Sequence, residues 1–537
     1  MEKGFDKIWK KMPSWLLPAF ILLLGAGLRL AYLGAIPAGM HQDESIVAWN
    51  AYAMFHEGVD SAGHRFPIYM ADWGDGHSPL YVWLTIPFIA LNGGHVNSFL
   101  SRLPQALVAI LTLLAVYDLM RRMFNRKLGL WAMFLLAICP WHVMTSRWGL
   151  DVDLAPGFLI FGLYFFIRGL ENRKFLLLSA LFYGLVLYCY AVMWPVVPAI
   201  LIVQIIYGLY HKKLSINRYS IGASILLFLL AVPQFLFIMV NSGLIPEICL
   251  PFITIPKMGG YRGGEIAFSF SGMWSNLKTA LSLLLYQNTG APQDILLPWG
   301  LYYDIGRVFI VIGVLCVVIQ TVKLLIKKEF SYVFFLFSSL FGGGVNCLIV
   351  TAKLHQVDAL FIPLLLCEAY GVYVVLEWVR GKKEFLSKIL TGVILAVYLL
   401  CLVLFQRDYY TDYQEVADAY LAAGVKECVE YALDACESTG LRTITVEQGA
   451  QWPRLLLFTE VLPSDYLATV EYDPNMYPAP ASFEYNGIRI NTRINYDFIN
   501  PESIYIIYYT DVPLLENDYE LTQFYDWYVA VPKAALH

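Results

Sequence analysis

The sequence predicts an α-helical polytopic membrane protein carrying a C-terminal extracytoplasmic α/β domain, and three observations predict it. Hydrophobic residues make up 58% of the chain and charged residues 15%, with a mean hydropathy of +0.58, beyond the range of a soluble globular chain. The apolar residues come in unbroken blocks of about 17 to 23, the length that crosses a ~30 Å hydrocarbon core at about 1.5 Å per residue. Such blocks are helices, since barrel strands would alternate. After Arg407 the composition changes: residues 410–537 hold 20 Asp and Glu against 6 Lys and Arg, the balance of a water-facing domain.

In chain order, eleven spans are expected at 15–33, 103–120, 128–145, 154–168, 175–193, 195–210, 219–240, 299–322, 331–351, 359–378 and 388–405. The basic leader "MEKGFDKIWKKM" precedes a core longer than a signal peptide's, with no small-x-small cleavage site after it, so the first span is expected to stay as an anchor. Six basic segments (the leader, 121–127, 168–174, 211–218, 323–329 and 380–388) fall on one side if the spans alternate. The positive-inside bias makes that side cytoplasmic. A multi-pass cell-membrane protein follows, with its N-terminus cytoplasmic and its C-terminal domain outside. The domains are expected at 1–407 and 408–537.

Two outer loops are too long for plain connectors. In the first, 34–102, Ile46, Trp49 and Ala53 share one helical face and "SPLYVWLTIPFIAL" is too short to span, so both pieces are expected to lie in the membrane interface. The second, 241–298, carries an amphipathic run from Ile266 to Tyr286. In the outer domain a helix is expected over 413–437, followed by strands at "RTITV", "DYLATVEY", "ESIYIIYYTDV" and "FYDWYVAVP". The nine cysteines lie mostly within spans as small packing residues. Cys428 and Cys436, on one helix, stand too far apart for a disulfide.

Three polar groups share the outer face: the adjacent acids Asp43 and Glu44; Asp151 in "TSRWGLDVDLAPGF"; and the cations Arg102, Arg147, Lys257, Arg262, Lys353 and His355. Carboxylates beside cations at a membrane surface suit a hydroxyl to be deprotonated and a phosphate to be held. Plainer readings stand next to these. Asp43 suits the N-cap of the helix that follows, Arg102 a snorkelling side chain, Asp151 and Asp153 a solvated loop, and Lys257 and Arg262 headgroup anchors. His41, His56, His64 and His77 match no standard zinc spacing, so no metal ligands are assigned; a divalent ion is compatible with the chemistry but unsupported by ligand spacing. No nucleotide-binding fingerprint occurs, and nothing points to nucleic acid.

The "DE" after the first span, "SPLYVWL", "SRLPQAL" opening the second span, the basic turn after it and "GLDVDLA" resemble the membrane glycosyltransferases of the C superfamily (GT-C). The protein O-mannosyltransferases and the lipid A aminoarabinose transferases are the branches most resembled. "TIPKMGGYRGGE" and "LHQVDALFIPLLLCEAYGVYVV" look like segments of uncharacterised bacterial members, and the resemblance covers residues 15 to about 405. It implies a GT-C-like helical domain with interfacial helices in its outer loops. It also implies transfer of a hexose or pentose from a polyprenyl-phosphate donor, with inversion, to a protein, lipid or cell-wall acceptor on the outer face. In it Asp43 is the catalytic carboxylate, Glu44 its neighbour, Asp151 the second acid and Arg102 an arginine near the donor phosphate. Where aminoarabinose transferases carry Lys-Pro-Pro-Leu this chain has His77-Ser-Pro-Leu, so His77 replaces a phosphate-contacting lysine and Lys257, Arg262 or Lys353 compensates. The rival class is a polytopic transporter or lipid flippase, which would line a midplane path with charge and repeat internally; the acids here sit at one face and no repeat is seen.

Overall fold

A computed structural model describes residues 13–72, 76–260, 266, 269–475 and 477–536; the basic leader and Arg262 lie outside them. The membrane part is built from α1 (Leu16–Leu30), α2 (Gln42–His56), α3 (Leu80–Leu91), α4 (Ser98–Met123), α5 (Arg126–Ile138), α6 (Pro140–Thr145), α7 (Leu154–Glu171) and α8 (Phe175–Val186). There follow α9 (Val196–Tyr210), α10 (Arg218–Asn241), α11 (Phe270–Tyr286), α12 (Asp304–Lys327), α13 (Val333–Ile349), α14 (Phe361–Lys382) and α15 (Glu384–Tyr410). Among the described residues seven helices are long and apolar enough to cross a membrane: α4, α7, α9 and α14 with the turns before them, α10, α12 and α15. The other expected spans fall on the shorter α1, α8 and α13, and on the pair α5–α6. That pair breaks because Cys139 is extended (φ −60°, ψ 122°) before Pro140, and proline disfavours a helical predecessor and supplies no N–H.

Asparagines start several of these helices. Asn97 and Asn125 accept the backbone N–H groups of Leu100 and Leu128 at 3.0 and 3.1 Å, and Asn217 forms a capping box with Ser220, satisfying donors that open a helix. In the long outer loop, β1 (Ile248–Leu250) and β2 (Ile253–Ile255) form an antiparallel hairpin. Thr254 exchanges backbone hydrogen bonds with Phe66 and Ile68, tying the two outer loops together.

The structure corrects the expected position of α2. Residues Glu44 to Met54 of this helix are all buried, so it is enclosed and does not lie in the interface. One side of it is covered by the C-terminal domain: Trp49 Nε1 donates to the Val461 carbonyl at 3.3 Å and the Tyr52 hydroxyl to the Glu460 carbonyl at 2.9 Å. The weak amphipathicity of its sequence fits burial on every side.

The C-terminal region holds α16 (Asp412–Tyr420), α17 (Val425–Thr439), β3 (Thr443–Val446), α18 (Trp452–Thr459), α19 (Pro463–Thr469), β4 (Glu471–Tyr472), β5 (Pro480–Tyr485), β6 (Ile488–Asn491), β7 (Ile504–Tyr508), α20 (Val512–Leu515), β8 (Tyr519–Phe524) and β9 (Trp527–Pro532). One seven-stranded sheet has the order β4-β5-β6-β3-β7-β9-β8, with β3 parallel to β6 and β7 and the other pairs antiparallel. The helix expected over 413–437 is two helices, because Gly424 takes φ +95° and approaches the Phe524 carbonyl too closely for a side chain. Most of "DYLATVEY" is helix α19 and only its last two residues are strand: Pro463 at the first helical position presets the turn. Cys428 and Cys436 both lie on α17 as free thiols.

Candidate active site

The site begins at the connection between α1 and α2, which two buried arginines hold. Each of the five N–H groups of Arg102 is engaged: with both oxygens of Glu44 (2.7 and 3.3 Å) and with the carbonyls of Leu33, Pro37 and Gly39. Arg147 is saturated in the same way by the Tyr409 hydroxyl and the carbonyls of Leu28, Arg29, Ala31 and Ile36. A guanidinium has only five donors. Neither arginine keeps one for a phosphate, so the expected donor contacts at Arg102 and Arg147 are corrected to clamps on the 28–39 backbone. Glu44 is corrected with them: fully buried, it also accepts the Gly149 N–H at 3.2 Å and neutralises Arg102. Gly39 passes so close to the Leu421 carbonyl that a Cβ would stand 2.2 Å from it, where the C-terminal domain seats on this loop.

The N-cap of α2 is His41, whose Nδ1 accepts the Asp43 N–H at 3.1 Å while Glu44 accepts the His41 N–H at 3.3 Å. Asp43 is thus not the cap. It occupies the second helical position with its side chain 37% exposed, Oδ2 lying 3.7 Å from His41 Nδ1, in the positive field of the helix start. Arg454, buried on α18, donates to the Met40 carbonyl at 2.8 Å and feels the charges of Glu44 and Asp43, although burial lowers its own value to about 10.

Facing Asp43 is the loop between α6 and α7. Asp151 is buried and accepts the Ser78 N–H at 3.0 Å. Burial, with a smaller push from the negative charge of Asp43, raises its carboxyl to about 7 against the pull of that N–H. The two acids therefore differ in environment, one solvated and one enclosed, the arrangement that separates base from acid roles. Asp153 holds His355 through Nδ1 at 2.9 Å. Burial alone would lower the imidazolium; the charges of Asp153, Asp294 and Asp358 outweigh it and raise His355 to about 9. The Trp148 ring packs near both histidines, its centroid 6.3 Å from that of His41 and 6.0 Å from that of His355.

His77 is corrected as a phosphate ligand. Its Nε2 accepts from the Asn50 amide at 2.9 Å, the Asn50 carbonyl being occupied by the Ser61 N–H, and its Nδ1 donates to the Ser78 carbonyl at 3.2 Å. Burial lowers it to about 4, so it is neutral and fully bonded, a fastener for the loop that presents Ser78 to Asp151. Lys353 and Lys257 are exposed. Lys257 follows β2, where Asn241 bonds the Pro256 carbonyl and the Met258 N–H. Among the described residues no group of three or more His, Cys, Asp and Glu is arranged to hold a metal ion. Sequence reasoning missed Trp148, His41 as a cap and Arg454; it read Asp153 as a loop acid. Only the clustering of "SRWGLDVD" signalled the first and last of these.

Residues 76–237 match the family of dolichyl-phosphate-mannose-protein mannosyltransferases. The structure is similar to ArnT from Cupriavidus metallidurans in the apo state (TM-score 0.53, 12% identity, 95% of this chain and 97% of that one). It is equally similar to the same protein bound to undecaprenyl phosphate (TM-score 0.53, 12% identity, 96% and 97%). Archaeoglobus fulgidus AglB, an archaeal oligosaccharyltransferase, aligns at a TM-score of 0.42 with 12% identity over 92% of this chain and 62% of that one. No curated sequence matches the chain.

Proposed function

We propose that this protein transfers a sugar from a polyprenyl-phosphate donor to an acceptor hydroxyl at the outer face, inverting the anomeric centre. The observation that carries this is the partly exposed Asp43 whose charge is felt by the enclosed Asp151, with the His355 imidazolium near Trp148, in a helical membrane domain of which residues 76–237 match the dolichyl-phosphate-mannose-protein mannosyltransferases. Asp43 takes the proton of the acceptor hydroxyl as its oxygen bonds to C1. The bond from C1 to the phosphate oxygen breaks, and polyprenyl phosphate leaves with the electron pair, its charge met by His355 with Lys353 and Lys257 as further cations. The sugar is a hexose or pentose and the acceptor a protein, lipid or cell-wall polymer. A transporter or flippase is not favoured: buried Arg29 and Glu368 of the membrane domain are bonded to neighbours, Arg29 to the Gly25, Leu136 and Ala137 carbonyls and Glu368 to Tyr398.

Reconstituted protein given a panel of labelled polyprenyl-phosphate hexoses and pentoses, with membrane and cell-wall extract as the source of acceptor hydroxyls, should release polyprenyl phosphate from one of them. Movement of intact donor across the vesicle without release would favour the flippase. The positive-inside bias of the basic loops supports an outer location for the acidic domain; Ser438→Cys, exposed on α17, should react with an impermeant reagent in intact cells in a Cys249→Ser background.

His355 gives the proposal a pH signature. Its value is raised above the ordinary ~6.5 of an imidazole, so the Asp153–His355 pair contributes fully below about 6.5 and is lost as pH rises through about 9. Donor affinity is expected to fall across the same interval. In His355→Gln the affinity should be lower by roughly tenfold or more, the scale of a lost charge-assisted contact, and flat with pH. A wild-type donor affinity that is level from pH 6.5 to 9.5 would remove His355 from the phosphate.

A further inference from the structure

The outer domain contains a cavity of about 190 Å³ that takes no part in the chemistry above. It lies outside the carboxyl ends of β3 and β6, two parallel neighbours, the edge at which open α/β sheets hold ligands. Gln448 and Gln451 come from the turn after β3, Thr492 and Arg493 follow β6, and Asp473 follows β4, while Trp452 supplies an aromatic wall. The rim is organised: Arg493 donates to Gln448 Oε1 at 3.3 Å, and Thr492 donates to the Pro480 carbonyl at 2.7 Å. Gln451 has φ +58° and ψ 127°, a backbone state that favours glycine and that persists in non-glycine residues mainly where surroundings enforce it, often at binding sites.

From this we infer that the crevice is a saccharide-binding subsite that presents a glycan acceptor. Amides, a carboxylate and a guanidinium offer donors and acceptors side by side, the pattern that vicinal hydroxyls need, and the indole and Pro480 give an apolar wall for a sugar's C–H face. Asp473 and Arg493 balance in charge, which disfavours a polyanionic ligand. The crevice and the site share α18. Trp452 and Arg454 stand two residues apart on α18, about 3 Å along its axis, and Arg454 bonds Met40 just before the helix of Asp43. The acceptor assignment rests on the transferase reading; saccharide binding does not.

The test uses full-length detergent-purified protein on an array of defined oligosaccharides containing mannose, galactose, glucose, N-acetylglucosamine and uronic acid units. Wild type should bind one oligosaccharide class, and Arg493→Ala and Gln448→Ala, both at exposed positions, should weaken that binding by at least about tenfold, the scale of lost polar contacts. Their affinity for a polyprenyl-phosphate sugar should equal that of wild type. No saccharide bound by wild type, or equal saccharide binding by both folded variants, would overturn the subsite. Failure of wild type to bind any lipid donor would instead strike the transferase reading and leave a measured saccharide affinity standing.

Discussion

Asp43→Asn should purify as a folded, donor-binding protein whose transfer rate is lower by at least about a hundredfold, the lower end of what a positioned general base contributes. The geometry makes this substitution informative. Asp43 caps nothing: His41 accepts its N–H, and the carboxylate reaches solvent with a side chain 37% exposed. Asparagine keeps the shape and gives up only a charge near the helix start, about 0.3–1 kcal/mol, so thermal unfolding should hardly move. The proton acceptance, in contrast, is lost outright. Near-normal transfer by folded Asp43→Asn would move the base to Asp151, whose carboxyl, raised to about 7 by burial, is half-ionised near neutral pH.

Glu44→Gln, one residue away, should behave in the opposite manner. Removing this carboxylate leaves the Arg102 guanidinium fully buried with no counter-charge, a change that costs on the order of 3–5 kcal/mol in buried pairs. Arg102→Gln should do similar damage, since it frees the carbonyls of Leu33, Pro37 and Gly39 together. The expected result is a lower unfolding temperature and a smaller folded yield. Activity should fall in proportion to the folded fraction, where Asp43→Asn loses it with the fold intact. A Glu44→Gln protein of wild-type stability and hundredfold lower turnover would return Glu44 to the chemistry.

The contrast between these neighbours marks where sequence reasoning stops. Continuous apolar runs made the long helices legible because span length is a property of the run itself, and Pro140 shows where one of them breaks. "DE" read as a pair because the residues are adjacent. On a helix, adjacent side chains point in different directions, and here one faces solvent and the other faces Arg102. The arginines misled for a related reason. Arg102 and Arg147 sit at outer span ends, where snorkelling or phosphate binding is the ordinary expectation, yet their partners are carbonyls of an irregular segment, a pattern without sequence periodicity. His355 was legible as a cation, but the Asp153 contact that keeps it charged joins residues 202 apart in the chain. Burial of α2 depends on the C-terminal domain; the weak amphipathicity of "QDESIVAWNAYAMFH" fits burial on every side but does not reveal what covers it.

The central claim is a single displacement at C1, with Asp43 on the acceptor side and the lipid phosphate on the other. Its most direct test is the anomeric configuration of the product, read by NMR after turnover of an anomerically pure, isotope-labelled polyprenyl-phosphate sugar by the reconstituted protein. The account predicts a product of inverted configuration and one equivalent of polyprenyl phosphate, both absent with Asp43→Asn; a retained configuration, or product formed equally by Asp43→Asn, would contradict it.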